Sequence, residues 1–333
     1  MTKYLIINGD DYGMSEAINR GIIGAHAFGT LSSASLLVNM PAFEQAVDLA
    51  HQSPALGIGL HFNLTEGKSI SAANDIPSLV QSDGYFSRIF EEWAEGQIEQ
   101  ELLQQYNKMV LAGLQPTHID SHHHIHLIVP SVYHTMERFV KRFGIPIRLN
   151  QRLQNKLSPP RSTDFLILDT YASTTGTSKL LEHISHLDSG STEIMTHPGF
   201  PEKTGESNAT EPDLRGKEYI ALTDYQVKNA IHEQEIQLIH YGQLENTRTD
   251  QQENDQAAHF GNIESVCVEY PTIDQQSHHD DNVLEIIRSS TNQPKARKRS
   301  KYKRGSGVVR RNKIQRKKNS RKAPARRKKG RAR

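Results

Sequence analysis

A dense group of histidines beside an acidic residue is the part of the sequence best suited to chemistry. Five histidines fall within residues 118–126, and Asp120 lies among them. A pair of adjacent carboxylates, Asp10 and Asp11, precedes this segment by about a hundred residues. Neutral imidazole and carboxylate groups are the usual protein ligands of a catalytic divalent metal. The two segments can therefore hold a metal ion and an activated water molecule, provided that the fold brings them together.

Three single residues extend this set of candidates. His61 stands alone in the apolar run of residues 57–64, where a lone histidine is more often a satisfied core residue than a ligand. His197 precedes a Pro-Gly turn, where a histidine can act as a general acid or base. Arg148 lies in an apolar segment and, once buried, needs a carboxylate partner such as a member of the Asp pair. A structural ion pair explains Arg148 as well as a catalytic one does.

The acidic pair and the histidine run also have structural interpretations. Asp10 and Asp11 fit a role as caps of a helix that begins near Ser15, and a histidine run can simply face solvent. Alternate residues of a strand share one face, so Asp120 and His122 are expected to point into the same interior. This placement favours a metal or catalytic role for the second segment.

Apolar periodicity predicts an alternation of strands and helices that would position these residues. The predicted strands cover residues 4–8, 35–39, 57–64, 118–122, 145–149, 165–168, 193–196 and 237–241. The predicted helices cover residues 15–28, 41–51, 87–112, 132–143, 178–187 and 225–235. This order indicates an α/β fold, most simply a (β/α) barrel of seven or eight mostly parallel strands, with an open doubly wound sheet as the competing topology. The candidate residues all fall at or just after strand ends, where barrel enzymes carry their catalytic groups.

Charge divides the chain of 333 residues into two physically different parts. Residues 295–333 contain 21 Lys or Arg and no Asp or Glu. The remaining 19 basic and all 38 acidic residues lie in residues 1–294, whose formal net charge is −19. We expect a barrel over residues 1–245, a polar linker of low order over residues 246–294, and a disordered basic tail over residues 295–333.

Targeting and redox signals are few. Cys267 is the only cysteine, so an intrachain disulfide and a cysteine-rich zinc site are excluded. No apolar stretch of about 18 residues is present, and the N-terminal apolar run is too short for a signal peptide. We therefore expect a cytoplasmic protein without a membrane segment, although the basic tail would direct a eukaryotic protein to the nucleus.

Four segments together resemble the YdjC-like carbohydrate deacetylases, a family that includes deacetylases of chitooligosaccharides. These segments are Asn8-Gly9-Asp10-Asp11-Tyr12-Gly13, Gly59-Leu60-His61-Phe62-Asn63-Leu64-Thr65-Glu66-Gly67, Thr117-His118-Ile119-Asp120-Ser121-His122-His123-His124-Ile125-His126 and Thr196-His197-Pro198-Gly199-Phe200. The resemblance implies a distorted β/α barrel with a divalent metal, Mg²⁺ or Zn²⁺. It also implies a hydrolase that removes acetyl groups from N-acetylated sugars by attack of a metal-bound water molecule.

The same resemblance assigns roles to individual residues. It implies that Asp11, His61 and His122 bind the metal. It further implies that Asp10 is the general base and His197 the general acid. Arg148 would then keep Asp10 ionised and oriented. The residue pattern alone leaves open which aspartate of the pair binds the metal, and whether His122 or His124 does so.

Two other functions remain open at this point. The chain could be another metal-dependent amidohydrolase or a phosphoesterase on a barrel. It could instead be an inactive barrel scaffold that binds nucleic acid, a ribosome or an acidic partner through residues 295–333. Tyr302 is the only aromatic residue of that tail, so base stacking is not expected. We expect residues 65–84 and 201–218 to shape the substrate pocket. The oligomeric state stays open, with a homodimer as one alternative.

Overall fold

The computed structural model describes residues 2–150, 159–169, 176–200 and 214–244. The predicted linker over residues 246–294 and the predicted basic tail over residues 295–333 lie outside these ranges. Among the described residues, no helix is both long enough and apolar enough to cross a lipid bilayer.

Strands and helices alternate along most of the described chain. The strands are β1 (Lys3–Tyr12), β2 (Ser33–Leu36), β3 (Gly57–Phe62), β4 (Ile119–Ser121), β5 (Phe165–Ile167), β6 (Gly190–Thr196) and β7 (Gln237–Leu238). The α-helices are α1 (Glu16–Phe28), α2 (Phe43–Gln52), α3 (Glu95–Leu111), α4 (Ile125–Ile128), α5 (Pro130–Phe143), α6 (Gly176–Ser185), α7 (Leu214–Thr223) and α8 (Tyr225–Glu233). Short 3₁₀ helices cover Phe90–Glu92, His122–His124 and Tyr241–Gln243.

All strand pairs are parallel and form one curled sheet. The strand order is β4-β3-β2-β1-β6-β5, and β7 pairs with the first half of β1. The strands β2, β3 and β6 are buried along their whole length, as expected for a parallel sheet covered by helices. The sheet is therefore an incomplete, distorted barrel, which confirms the predicted α/β barrel class and its parallel strands.

The sheet register aligns the carboxyl ends of the strands that carry the candidate residues. Gly9 of β1 pairs with Thr196 of β6, and His61 of β3 pairs with Asp120 of β4. Chain segments that leave these strands consequently meet at one end of the sheet. This edge collects the candidate side chains, as the barrel interpretation of the sequence predicts.

Two predicted elements are wrong in detail. Residues 145–149 form only an isolated bridge between Ile147 and Ile119, since Pro146 has no N–H to donate to a ladder. The long helix predicted over residues 87–112 is interrupted, because Trp93 is buried in an extended conformation (ψ 115°) and α3 begins only at Glu95.

The first helix begins and ends where the sequence indicates. Ser15 accepts a hydrogen bond from Ile18 N–H at 3.3 Å through its Oγ atom, and α1 ends before Gly29. Because Ser15 fills the N-cap position, Asp10 and Asp11 are not caps. They lie instead within the last residues of β1, buried at the edge where the sheet opens.

Candidate metal and catalytic site

The carboxyl ends of β1, β3, β4 and β6 open into a cavity of about 530 Å³. The cavity is lined by Asp10, Asp11, Met14, His61, Glu66, His122, His123, His124, His197, Leu214, Arg215 and Glu218. The predicted residues from distant parts of the sequence therefore lie together. Arg148 is the exception, because it lies below the cavity and is fully buried.

Three side chains converge with the geometry of a metal site. Asp11 Oδ1 lies 3.0 Å from His122 Nδ1 and 3.6 Å from His61 Nε2. One ligand atom from each of Asp11, His61 and His122 lies within 4.8 Å of the others. Ligands bound at about 2.0–2.2 Å to one ion lie roughly 3–3.5 Å apart. The three side chains therefore fit a shared divalent cation without large movement.

Each of the two histidines, His61 and His122, also contacts a carboxylate other than Asp11, which orients its ring. His61 Nδ1 lies 2.7 Å from Asp120 Oδ1, and His122 Nε2 lies 3.0 Å from Glu66 Oε2. A ring nitrogen that donates to a carboxylate leaves the opposite nitrogen free as a ligand, which is the usual arrangement around metal-binding histidines. Glu66 thus joins the site although the sequence pattern gave it no role.

The electrostatics of the site agree with this arrangement. Burial lowers the pKa of His61, but the charges of Asp120 and Asp10 outweigh it and raise the pKa to about 10. Burial raises the pKa of Asp11, but His122 and His61 hold it well below its usual range. Asp11 Oδ1 is nevertheless buried without a hydrogen-bond partner among the described residues. An unpaired carboxylate oxygen facing two imidazole nitrogens suits a cation.

The backbone adopts left-handed conformations at this site. Asp11 has a φ of 67°, and the neighbouring histidines His123 and His124 have φ values of 54° and 51°. Such values are uncommon for residues with a side chain and persist where surrounding contacts impose them. At Asp11 the conformation starts a turn in which Met14 N–H donates to the Asp11 carbonyl at 3.1 Å. The strain therefore lies beside the candidate ligands.

Arg148 is a buried counterion of the carboxylates next to the cavity. Its Nη1 donates to Asp10 Oδ2 at 2.8 Å, and its Nη2 donates to Asp10 Oδ1 at 2.7 Å. Nη2 also lies 2.7 Å from Glu193 Oε1 and 2.8 Å from Asp120 Oδ2. Burial raises the pKa of Asp10, but Arg148 and His61 together hold it below its ordinary value, so the carboxylate is ionised. The predicted pairing of Arg148 with one member of the Asp pair is confirmed by these contacts.

Negative charge exceeds positive charge in this inner cluster. Four buried carboxylates belong to it: Asp10, Asp11, Asp120 and Glu193. Two arginines contact them, Arg148 and Arg215. The carboxylates outnumber the guanidinium groups by two, which favours a bound cation. Without a cation, a proton on His61 or on Glu193 reduces the excess, since the pKa values of both are raised. The residues present therefore fit the implied metal in charge and in ligand chemistry.

His197 closes the cavity on the side of β6. Its backbone N–H donates to the buried Glu218 carboxylate of α7. Burial lowers the pKa of His197, although Asp11 and Asp10 raise it in part. Burial also raises the pKa of Glu218 to about 7. The imidazole is therefore poised to give up a proton readily once it is protonated.

The N-terminal half of α7 adds two residues that the sequence pattern did not single out. Glu218 holds the backbone of His197, and Arg215 Nη2 donates to Asp11 Oδ2 at 2.5 Å. Both belong to the stretch 201–218 that was expected only to shape the pocket, of which residues 201–213 lie outside the described ranges. No local pattern around Arg215 distinguishes it from a surface arginine. Only the docking of α7 brings it to the site.

The other histidines of the run have different environments. His123 is exposed, and His124 lines the cavity. His126 is buried on α4, where its Nδ1 lies 2.5 Å from Ser121 Oγ. His118 is buried, does not line the cavity, and stacks on Tyr241 with ring centroids 4.1 Å apart. Of the two histidines left open by the sequence, His122 rather than His124 faces Asp11.

Comparisons with known proteins identify relatives over most of the described chain. The sequence profile of a family described as YdjC-like protein matches residues 4–233. A carbohydrate deacetylase of Geobacillus stearothermophilus is 36% identical over 245 residues, covering 72% of this chain and 98% of that relative. A chitooligosaccharide deacetylase of Serratia marcescens is 37% identical over 218 residues, covering 61% of this chain and 85% of that relative.

A solved structure agrees with these relatives. The crystal structure of a candidate cellobiose-phosphate cleavage protein from Enterococcus faecalis V583 matches with a TM-score of 0.67 at 30% sequence identity. The match covers 73% of this chain and 99% of that chain. The similarity therefore extends over nearly the whole of that protein.

Proposed function

Because the chain belongs to the YdjC-like protein family, we propose that it is a metal-dependent hydrolase that removes acetyl groups from N-acetylated sugars of the chitooligosaccharide type. One observation carries the proposal: Asp11, His61 and His122 converge in one cavity, beside the ionised Asp10. The names of the relatives, carbohydrate deacetylase and chitooligosaccharide deacetylase, support the choice of reaction and substrate class.

We propose that Asp11, His61 and His122 hold the metal, which is Mg²⁺ or Zn²⁺. A divalent ion bound there would polarise the acetyl carbonyl as a Lewis acid and lower the pKa of water. Asp120 and Glu66 support this role, since each accepts a hydrogen bond from the ring nitrogen that faces away from Asp11. These contacts fix the tautomer in which His61 Nε2 and His122 Nδ1 are ligands.

Asp10 is the proposed general base. Arg148 binds both of its carboxylate oxygens, and Asn8 Nδ2 donates to Oδ1 at 2.8 Å. These contacts orient the carboxylate and keep it ionised, which is the form that accepts a proton. In the proposed reaction, Asp10 takes one proton from the water molecule that attacks the acetyl carbonyl.

His197 is the proposed general acid. An amine is a very poor leaving group without a proton, so cleavage of the amide bond requires a donor on the side of the sugar nitrogen. His197 lines the cavity opposite the β3 and β4 ligands, and its lowered pKa makes the protonated imidazole a readier donor. Addition of water to the amide and transfer of a proton to the nitrogen yield acetate and the free amino sugar.

The test is acetate release by the purified full-length chain. The substrates are N-acetylated monosaccharides and short chitooligosaccharides, assayed beside a panel of phosphoesters and unrelated amides. We expect acetate from the N-acetylated sugars, loss of the activity on treatment with a chelator, and recovery on addition of Mg²⁺ or Zn²⁺. Cleavage of a phosphoester or another amide, with no acetate from any sugar, would favour a different metal hydrolase and end the proposal.

We infer a separate function for residues 295–333, which bind nucleic acid without sequence preference. The observation that favours it is charge: 21 cations and no carboxylate stand in this segment, against a formal net charge of −19 for residues 1–294. Phosphate contacts from so many Lys and Arg side chains supply affinity by releasing counterions. Deacetylation is not expected to depend on this segment.

A further inference from the structure

We propose that Arg215 is a positioning residue for the metal, which it reaches only through Asp11. Its Nη2 donates to Asp11 Oδ2 at 2.5 Å, while Asp11 Oδ1 has no hydrogen-bond partner among the described residues and faces His61 and His122. The guanidinium thus occupies one carboxylate oxygen and presents the other to the cation. The inference rests on the metal site of the proposed function.

The backbone and the aliphatic stem of Arg215 are packed against Gly199. Gly199 N–H donates to the Arg215 carbonyl at 3.2 Å. A Cβ atom added to Gly199 would lie only 3.2 Å from Arg215 Cβ and Cδ, so the arginine stem rests on the bare glycine backbone. The Arg215 side chain is about one-third exposed, and the Asp11 side chain is almost fully buried. Arg215 is therefore a fixed wall of the site rather than a surface side chain that contacts it by chance.

The helix that carries Arg215 is docked closely on the first helix. A Cβ atom added to Gly24 of α1 would lie 2.9 Å from the ring of Tyr219, and one added to Gly29 would meet the backbone of Leu222 at 2.5 Å. Gly24 within α1 and Gly29 just after it thus let α7 approach until Arg215 reaches the end of β1. The contact between α1 and α7 links the position of Asp11 to a helix that is distant in sequence.

One consequence concerns how Asp11 would bind a cation. A carboxylate that rotates freely can bind through either oxygen or through both. With Oδ2 held by Arg215, Asp11 is expected to bind through Oδ1 alone, which leaves a coordination position for water or substrate. Arg215 also repels a cation. We expect the orientation of the Asp11 carboxylate to matter more than the repulsion between Arg215 and the cation, because the guanidinium contacts the oxygen that is not directed at His61 and His122.

The experiment uses the full chain loaded with Co²⁺, whose visible absorption reports ligand number and geometry. Arg215→Met fills similar space without a charged donor, whereas Arg215→Lys retains a cationic donor. We expect Arg215→Met to bind Co²⁺ about 10- to 100-fold more weakly in competition with a chelator, with an altered absorption spectrum. Arg215→Lys is expected to recover part of the affinity. Lys217→Met, which removes an exposed charge from the same helix, is the control and should match the wild type.

Each outcome decides a definite point. Wild-type affinity and spectrum in Arg215→Met, or tighter binding, would overturn the positioning role. An equal loss in Arg215→Met and Arg215→Lys would also overturn it, because the charged contact would then not be the cause. Melting of the metal-free variants near the wild-type temperature excludes a folding defect. Acetate release is measured separately, so a wild type that binds Co²⁺ but releases no acetate removes the proposed reaction and leaves the role of Arg215 standing.

Discussion

Arg148 binds Asp10 through both ends of its guanidinium, with Nη1 donating to Oδ2 at 2.8 Å and Nη2 donating to Oδ1 at 2.7 Å. Both side chains are fully buried. The same Nη2 also contacts Asp120 and Glu193, so one arginine pairs with three buried carboxylates from three strands. The stability of the sheet end and the ionisation of the candidate base thus depend on one side chain.

Replacement of Arg148 should therefore destabilise the fold as well as the site. Arg148→Met leaves buried carboxylates without a counterion, and breaking a buried ion pair in this way costs about 3–5 kcal/mol. We expect urea denaturation to report a loss of that size. Arg20→Met is the control, since Arg20 pairs with Glu16 at the surface, where such a pair is worth less than about 1 kcal/mol. Equal losses in the two variants would refute the prediction.

Replacement of His197 should remove catalysis without removing the metal. His197→Ala eliminates the proposed proton donor but none of the proposed ligands, and loss of a general acid reduces turnover by about 10²- to 10⁴-fold. We expect kcat to fall by this factor while metal content, measured on the purified protein, stays at the wild-type value. His134→Ala, at an exposed position of α5, serves as the control. An unchanged kcat would exclude His197 as the acid, and loss of the metal would make it a ligand.

His118 makes the fold sensitive to acid. Ser35 Oγ donates to Asp120 Oδ2 at 2.8 Å, so His118 Nε2, which lies 3.1 Å from the same Oγ, must be the donor to it. Thr117 Oγ1 can then donate to His118 Nδ1 at 3.1 Å, which completes a neutral imidazole. Burial lowers the pKa of His118 to about 3. In the unfolded chain the pKa of a histidine is about 6.5. Between the two pKa values, His118 is therefore protonated in the unfolded chain and neutral in the folded chain.

Stability should therefore fall as the pH falls from about 6.5 towards 3. Within this window, a buried neutral histidine such as His118 changes the free energy of unfolding by up to about 1.4 kcal/mol per pH unit. Above pH 6.5 the contribution is constant. We expect His118→Gln to reduce the slope by about that amount in metal-free protein, measured by urea denaturation between pH 6.5 and 4.5. His134→Gln should leave the slope unchanged, and a wild-type slope in His118→Gln would contradict the neutral assignment.

Much of the fold followed from local patterns in the sequence. Apolar runs bounded by turns predicted the strand that carries His61 and the strands that lead to Asp11 and His122, and the parallel order placed their ends together. The charge of a buried arginine required a carboxylate partner, which gave the pairing of Arg148 with the Asp pair. These predictions depend on the spacing of apolar residues, on the expected burial of a segment and on the charge of its side chains. All three can be evaluated from residues that are close in the sequence.

Other parts of the site depend on packing between distant elements. Arg215 and Glu218 reach the cavity because α7 lies against α1, a contact that no local pattern encodes. Glu193 is a single acidic residue in an otherwise uncharged strand, and this was the one signal that could have identified it as a partner of Arg148. The choice between Asp10 and Asp11 depended on tertiary contacts, because Asp10 pairs with the buried Arg148 whereas Asp11 faces His61 and His122.

Deletion of residues 295–333 should abolish binding to nucleic acid and leave deacetylation unchanged. The truncated chain, residues 1–294, has a formal net charge of −19, so it should be repelled by phosphates rather than attracted. For the full chain, the logarithm of the binding constant should fall linearly with the logarithm of salt concentration, with a slope of about −0.9 for each phosphate neutralised on double-stranded DNA. Fluorescence anisotropy with two DNA duplexes of unrelated sequence, over a salt series, measures both the slope and the absence of sequence preference.

The matched control is a full-length variant in which the 21 Lys and Arg residues of the segment are replaced by Gln, which keeps length but removes charge. If this variant binds DNA as the wild type does, charge is not the cause. If either variant loses acetate release, the segment and the catalytic site are not independent, because the cations would then act on the acidic part of the chain.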